Sequence, residues 1–97
     1  MRLRLSVPAA RDLQGIYDYV AKDSPRSARS VIERIDAVLD LLDQHPALGR
    51  PGRVEGTREL VVTRTNYVAI YQIDGEVIDI LRVLHGRQQW PPAEDAT

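Results

Sequence analysis

Two side chains near the C-terminal end of the sequence, His85 and Arg87, are of types that could act on an anionic group. The imidazole of a histidine titrates near neutral pH and can move protons, and a guanidinium can pair bidentately with a carboxylate or a phosphate. His85 could therefore be a general base beside a cationic anchor. The alternative, which we favour, is a structural histidine bonded to the backbone, because the sequence places no partner beside it.

Metal and redox chemistry have few candidate ligands. The sequence contains no cysteine, and His45 and His85 are its two histidines. A disulfide framework and a thiolate zinc site are therefore excluded, and two imidazoles are too few for an ordinary metal centre. We expect neither a metal nor another cofactor.

Arginine supplies twelve of the thirteen basic residues, yet the net charge is only −1. A chain of such low net charge has no general attraction to nucleic acid, so we expect no direct specific DNA binding. A local positive cluster is formed by Arg50, Arg53, Arg58 and Arg64, with Glu55 and Glu59 among them. This cluster could contact an acidic partner, or it could be an ordinary solvated surface.

Aromatic side chains are few: there is no Phe, one Trp and four Tyr. Trp90 lies close in sequence to Arg87, where it could anchor a binding partner or pack as a lid over the end of a sheet. Tyr17 and Tyr19 are two residues apart in a predicted helix and must point to different sides of it. One of them should therefore be exposed and available to a partner.

The N-terminal half predicts one strand followed by a helix hairpin. Residues 2–7 alternate apolar and polar side chains, which indicates a strand with one buried face. Apolar residues at helical spacing then predict a first helix over residues 9–21. Ser24 can cap a second helix with Pro25 at its first position, and the apolar stripe of that helix extends to Leu42. Because the connection is so short, the two helices should be antiparallel neighbours.

The C-terminal half predicts a loop and three strands. Residues 44–56 hold two Pro and three Gly and are expected to be irregular. Strands are predicted at residues 57–63, 67–73 and 76–85. Asp74-Gly75 is typical of the two central residues of a type I′ turn. That turn would pair Tyr71 with Ile78 and Ile70 with Asp79.

These elements predict an α+β fold in a single domain of residues 1–90: an N-terminal strand, an antiparallel two-helix hairpin, and a three-stranded antiparallel meander, in the order β-α-α-β-β-β. Both faces of the predicted sheet are apolar, and two helices can cover only one. The second face, with Val68, Ile70 and Leu81, should be an exposed hydrophobic patch for a partner unless the C-terminal tail or a second copy covers it. Residues 91–97 are Pro-rich and acidic and are expected to be disordered.

The sequence resembles the RelE/ParE superfamily, the toxins of type II toxin–antitoxin systems, over nearly its whole length. The segments that carry the resemblance are residues 8–13, 16–20, 46–52, 58–60, 67–71 and 80–87, and Arg82-Val83-Leu84-His85-Gly86 is the part most similar to ParE. Each segment is unspecific alone. Together, in order and at ordinary spacing, they form a specific pattern.

The resemblance also separates two mechanisms. RelE-like members cut mRNA on the ribosome, whereas ParE-like members inhibit DNA gyrase without a recognised catalytic site. The RelE-like pattern places basic residues at positions that match Glu59, Val61 and Val68 here, and none of these is basic. Arg87 does match a RelE-like arginine, but no tyrosine follows Tyr71. RNA cleavage needs several such groups, so the ParE-like branch is favoured.

The resemblance therefore implies a cytoplasmic, membrane-free toxin that binds gyrase, has no enzymatic turnover, and is neutralised by a ParD-like or related antitoxin. Two alternatives stay open: a ribosome-dependent mRNA endonuclease that uses Arg87 and His85, and a family member that binds its antitoxin but is not toxic. We expect target contacts from Arg58, Arg64, Arg87 and Trp90. We expect antitoxin contacts from Tyr17, Tyr19, Val68, Ile70 and Leu81.

Overall fold

The structure, a computed structural model, describes residues 2–88 and 90–91. Its elements are β1 (Arg2–Leu5), α1 (Val7–Ala21), α2 (Pro25–Gln44), β2 (Arg50–Pro51), β3 (Arg58–Val61), β4 (Tyr67–Asp74) and β5 (Val77–His85). The strands form one sheet in the order β1-β5-β4-β3-β2, in which β1 is parallel to β5 and the other neighbours are antiparallel. The predicted α+β class is confirmed.

Both helices begin where the sequence places a serine cap. The hydroxyl of Ser6 accepts a hydrogen bond from the Ala9 amide at 3.0 Å, and the hydroxyl of Ser24 accepts one from the Ser27 amide at 3.1 Å. Each cap satisfies an amide that has no partner within the helix. Because Ser6 is a cap, β1 ends at Leu5 and α1 begins at Val7, two residues before the predicted helix start.

The loop of residues 44–56 contains a short edge strand that its composition did not predict. In β2, Arg50 pairs with Glu59 and Pro51 with Arg58. A proline can occupy a strand at the edge of a sheet, because no neighbour there needs its missing N–H. The prediction of a wholly irregular loop was therefore wrong at these two residues.

The predicted hairpin between β4 and β5 is confirmed, but the register of its strand pairing differs from the prediction. Asp74 pairs with Val77, so Gly75 and Glu76 are the central turn residues. Gly75 has a φ of +60° and Glu76 is not among the residues with positive φ, so Gly stands at the first central position, as in a type II′ turn. Tyr71 consequently pairs with Ile80 instead of Ile78.

A bulge in β5 changes the register again. Ile70 pairs with Arg82 instead of Asp79, and Leu81 is left without a partner on β4. The carbonyl of Leu81 accepts a hydrogen bond from the Ser6 hydroxyl at 2.9 Å. The extra residue moves Val83 onto the face that holds Ile80, and it moves Leu84 to the opposite face.

The core lies between the helix hairpin and one face of the sheet. Its buried members are Ala9, Ile16, Ile35, Leu39, Leu42, Val62, Ala69, Tyr71, Ile78, Ile80 and Val83. Apart from Tyr71 the cluster is aliphatic, as expected for a chain without Phe. Among the described residues, no helix is long and apolar enough to span a membrane.

The opposite face of the sheet is less exposed than predicted. Ile70 is 2% exposed and Leu84 is 4% exposed, although both lie outside the main core. Trp90 lines a cavity of about 20 Å³ together with Val68, Ile70 and Leu84. The expectation of an open hydrophobic patch was therefore wrong at Ile70, because residues near the C-terminus pack on this face. Of the predicted tail, residues 92–97 lie outside the described residues.

Candidate functional site

Two clefts meet where β4 begins and β5 ends. Tyr67 pairs with His85 across the hairpin, and their rings meet edge to face at 84° with centroids 5.6 Å apart. Both side chains line both clefts. The α1 cleft, about 430 Å³, is lined by Arg11, Asp12, Gly15, Ile16, Tyr19, Tyr67, Val83, His85 and Gln88. The Arg87 cleft, about 440 Å³, is lined by Val61, Asn66, Tyr67, Val68, His85, Gly86 and Arg87.

The turn after β5 fixes His85 next to Arg87. The Nδ1 of His85 accepts a hydrogen bond from the Arg87 amide at 3.1 Å, and the His85 amide donates to Oε1 of Gln88 at 2.7 Å. A nitrogen that accepts carries no proton, so neutral His85 holds its proton on Nε2. Nε2 then cannot take a proton from a substrate. Among the described residues, no carboxylate orients this imidazole, and the geometry is that of a structural histidine.

Tyr67 is the second titratable group between the clefts. Burial, and to a lesser degree the nearby Tyr19, raises the pKa of its hydroxyl above the ordinary value for tyrosine. The side chain is therefore neutral at physiological pH and does not supply a phenolate base. It forms an aromatic wall shared by the two clefts.

Asp12 of α1 binds β5 at the point where β1 no longer covers its edge. Its carboxylate accepts hydrogen bonds from Nε and Nη2 of Arg82 at 2.7 and 2.9 Å, and from the Val83 amide at 2.9 Å. The hydrogen bond to Asp12 raises the pKa of Arg82. The acidic partner of Arg82 is thus Asp12, and this ion pair attaches α1 to the sheet beside the α1 cleft.

The predicted arginine cluster is not one positive surface. Glu59, whose side chain is 4% exposed, lies 3.5 Å from Nη2 of Arg50 and 3.9 Å from Nε of Arg53. It also accepts a hydrogen bond from the Arg53 amide at 3.0 Å. Arg58 donates to the carbonyl of Gly49 at 2.7 Å. Most of the positive charge in the cluster is therefore used to hold the loop of residues 44–56 against β3.

The four residues expected to contact a target do not come together. Arg58 pairs with Tyr71, whereas Arg87 follows His85, whose strand partner is Tyr67. Tyr67 and Tyr71 are four residue steps apart along β4, which is roughly 13 Å. Arg64 is exposed in the β3–β4 turn, with a φ of +65°, and Trp90 packs on the helix-free face. Arg64 and Arg87 lie near the same end of the sheet, and Trp90 lines its cavity with His85 and Gly86 at that end.

The residues expected to contact a partner also divide between surfaces. Tyr17 lines a groove of about 390 Å³ between α1 and α2, and Tyr19, 70% exposed, lines the α1 cleft. The prediction that the two tyrosines point to different sides is confirmed. Val68 lines the Arg87 cleft and Leu81 is half-buried, whereas Ile70 is covered.

Of the residues that line the α1 cleft, sequence reasoning identified Tyr19 and His85 as site candidates and missed the others, among them Arg11 and Gly15. The signal was present, because Arg11, Gly15 and Tyr19 recur every four residues and so share one stripe of α1. The stripe was not recognised because the helix was interpreted from its apolar positions alone.

Comparison with known proteins agrees with this architecture. The sequence model of the family described as "ParE toxin of type II toxin-antitoxin system, parDE" matches residues 3–90. A curated protein of Sinorhizobium fredii, named "Putative toxin Y4kP", is 44% identical over 90 residues, which are 93% of each chain.

Solved structures share the fold. A chain of the chromosomal ParDE toxin–antitoxin system from P. aeruginosa is 34% identical, with a TM-score of 0.80 over 88% of this chain and 95% of that one. A chain of the RelBE2 toxin–antitoxin complex from Mycobacterium tuberculosis is 31% identical, with a TM-score of 0.57 over 87% and 88% of the two chains. Since the family match covers almost the whole sequence, this chain belongs to the ParE toxin family of type II toxin–antitoxin systems.

Proposed function

We propose that this toxin inhibits DNA gyrase by binding to it, performs no chemical turnover, and is neutralised by a ParD-like antitoxin. The target is inferred from the ParE family, and the absence of turnover is inferred from the site. The observation that carries the second inference is the lining of the Arg87 cleft. Val61 and Val68 line it beside Arg87, at positions where an RNA-cleaving relative would need cations.

Charge placement supports a binding function. Cleavage of a phosphodiester requires cations that stabilise the charge developing on the phosphorus oxygens, and each missing group commonly lowers the rate by orders of magnitude. Here the third matched position is Glu59, a buried carboxylate that engages Arg50 and Arg53. Arg87 is left as the single matched cation, which is too little for efficient RNA cleavage.

Two titratable side chains of the site, His85 and Tyr67, are also not arranged for proton transfer. His85 uses Nδ1 to accept from the Arg87 amide, and Tyr67 is held in its neutral form. A nuclease would need at least one group poised to take the 2′-hydroxyl proton. Neither of these side chains is arranged to do so.

The antitoxin partner is supported by two relatives of known structure, which belong to a ParDE system and to a RelBE2 toxin–antitoxin complex. The α1 cleft and the groove that contains Tyr17 lie on either side of α1 and offer apolar surface to such a partner. We assign antitoxin contacts to Tyr17, Tyr19 and Val68, with Leu81 at their margin. Ile70 could contribute only after the residues that cover it move.

The direct test uses purified toxin with gyrase in a DNA supercoiling assay. We expect inhibition that saturates as toxin approaches the concentration of gyrase and that disappears when antitoxin is added in equal amount. Loss of supercoiling that increases with time at a toxin concentration far below that of gyrase would indicate turnover and contradict the proposal.

The enzymatic alternative retains one favourable observation, the adjacency of His85 and Arg87 at an open cleft. A translation extract programmed with a defined mRNA would test it. Codon-phased cleavage that is abolished by Arg87→Ala would establish the nuclease. Normal growth of cells that express the toxin without antitoxin would instead indicate a non-toxic, antitoxin-binding member.

A further inference from the structure

Gly15 occupies the middle of α1, where glycine is the least favourable ordinary residue because it restricts the unfolded chain least. Nothing in the described part of the chain requires it there. A Cβ added at Gly15 would meet no described atom within 4 Å outside its own helix, and the residue has no unusual backbone angle. The packing of the described residues therefore does not explain the glycine.

The position of Gly15 makes it a notch in the wall of the α1 cleft. Arg11, Gly15 and Tyr19 follow one another at four-residue spacing along α1, so the missing side chain leaves a gap between a long cation and a large ring. Ile16 and Tyr67 line the same cleft and give the gap apolar surroundings. With a volume of about 430 Å³ the cleft can receive several side chains of another chain.

The charged residues around the notch indicate which kind of partner can bind there. Asp12 is the one carboxylate among the described residues of the lining, and Arg82 already neutralises it. Among the described residues, the guanidinium group of Arg11, which lines the cleft beside Gly15, has no acidic partner, and its side chain is exposed. The cleft therefore presents apolar surface bordered by uncompensated positive charge, which is complementary to an apolar segment that carries carboxylates.

We propose that Gly15 is the contact point of the antitoxin: a large apolar side chain of an acidic, amphipathic antitoxin segment seats over Gly15 between Arg11 and Tyr19, and a carboxylate of that segment pairs with Arg11. The inference rests on the proposed neutralisation by an antitoxin and adds the site and its chemistry. It also explains why α1 keeps a residue that lowers its own stability, because any side chain at position 15 would fill the space that the antitoxin needs.

The test measures the affinity of the full-length toxin for the antitoxin encoded beside its gene, by calorimetry. Gly15→Leu should weaken binding by at least about tenfold, since a side chain seated in a tight pocket is commonly worth that much or more. Ala37→Leu is the matched control, because Ala37 is an exposed helical residue of α2 that does not line the α1 cleft. We expect its affinity to equal that of the unmodified toxin, and thermal melts should show both variants folded.

A second pair of variants tests the charge. Arg11→Glu should lower the affinity and weaken its dependence on salt, whereas Arg29→Glu, at an exposed position of α2, should have little effect. If Gly15→Leu and Arg11→Glu bind antitoxin as tightly as the unmodified toxin does, the notch is not the contact point, although the proposed function stands. If the unmodified toxin and Ala37→Leu both fail to bind antitoxin, the proposed neutralisation itself is wrong and the notch proposal is rejected with it.

Discussion

The hydroxyl of Tyr71 accepts a hydrogen bond from the Gly49 amide at 2.8 Å and donates one to the Pro46 carbonyl at 2.7 Å. A fully buried side chain of β4 thereby holds the loop that follows α2. Tyr71→Phe would leave the Gly49 amide without this partner, and an unsatisfied buried donor costs about 1–3 kcal/mol. We expect a loss of that size in the free energy of unfolding, measured by urea denaturation.

The control is Tyr67→Phe. The structure shows no hydrogen bond from the Tyr67 hydroxyl to a described residue, so its removal should change stability by less than about 0.5 kcal/mol. Equal losses in the two variants would mean that the Tyr71 hydroxyl is not the fastening of the loop.

Gly49 and Gly15 should respond to alanine in opposite ways. A Cβ at Gly49 would lie 2.8 Å from the Tyr71 ring and 3.0 Å from the Glu59 carbonyl, so β3, β4 or the loop would have to shift. Gly49→Ala should therefore destabilise the protein by about 1–3 kcal/mol. Gly15→Ala meets no neighbour and should stabilise it by about 0.5–1 kcal/mol through helix propensity. Thermal or urea unfolding of both variants, compared with the unmodified protein, measures whether each substitution lowers or raises the stability.

Local signals predicted the helices well, and the reason is physical. The Ser6 and Ser24 caps act within three residues, so their effect can be read from neighbouring sequence. The β4–β5 register instead depends on the bulge at Leu81. The carbonyl of Leu81 accepts a hydrogen bond from the hydroxyl of Ser6, which is more than seventy residues away in sequence. Neither the bulge nor the two-residue strand β2 has a local signature, because each exists only when distant segments are already paired.

The functional site was likewise predicted only where the residue type itself is informative. The prediction identified Tyr19, His85 and Arg87, whose residue types are informative in themselves. It treated Arg58 as a contact for the target, whereas that guanidinium bonds the Gly49 carbonyl. Whether an arginine is free or engaged depends on tertiary contacts, and a sequence pattern does not contain them.

The contributions of Asp12 and Arg82 to the free energy of unfolding should depend strongly on each other. The Arg82 side chain is 28% exposed and that of Asp12 is 14% exposed, and Asp12 also accepts from the Val83 amide. Asp12→Asn would leave a half-buried guanidinium without its counter-charge and weaken the attachment of α1, at a cost of about 1–3 kcal/mol. A double-mutant cycle with Arg82→Met in urea denaturation isolates the pair. Additive losses would contradict a direct interaction.

The interaction of Asp79 with Arg4 predicts that the folding stability of the protein decreases at acidic pH. Its hydrogen bond to Arg4, with Nε and Oδ1 2.5 Å apart, lowers the pKa of the carboxyl below its ordinary value of 3.8. A carboxylate with a lowered folded-state pKa stabilises the fold above its unfolded-state pKa and loses that contribution as pH falls through the folded-state pKa. Asp79→Asn should therefore reduce stability at pH 7, and the difference from the unmodified protein should shrink below pH 4. A difference that grows on acidification would reverse the assignment.

Trp90 offers a probe of where the antitoxin binds. It is the single Trp of the chain, it lines a small cavity with Ile70 and Leu84, and its Nε1 is buried without a partner among the described residues. Its fluorescence should be blue-shifted and protected from iodide in the folded toxin. If the antitoxin docks at the α1 cleft, on the other side of the sheet, a tryptophan-free antitoxin should leave this emission unchanged. An antitoxin that instead binds at the covered side chain of Ile70 has to displace Trp90, and the emission would then shift and the iodide protection change on binding.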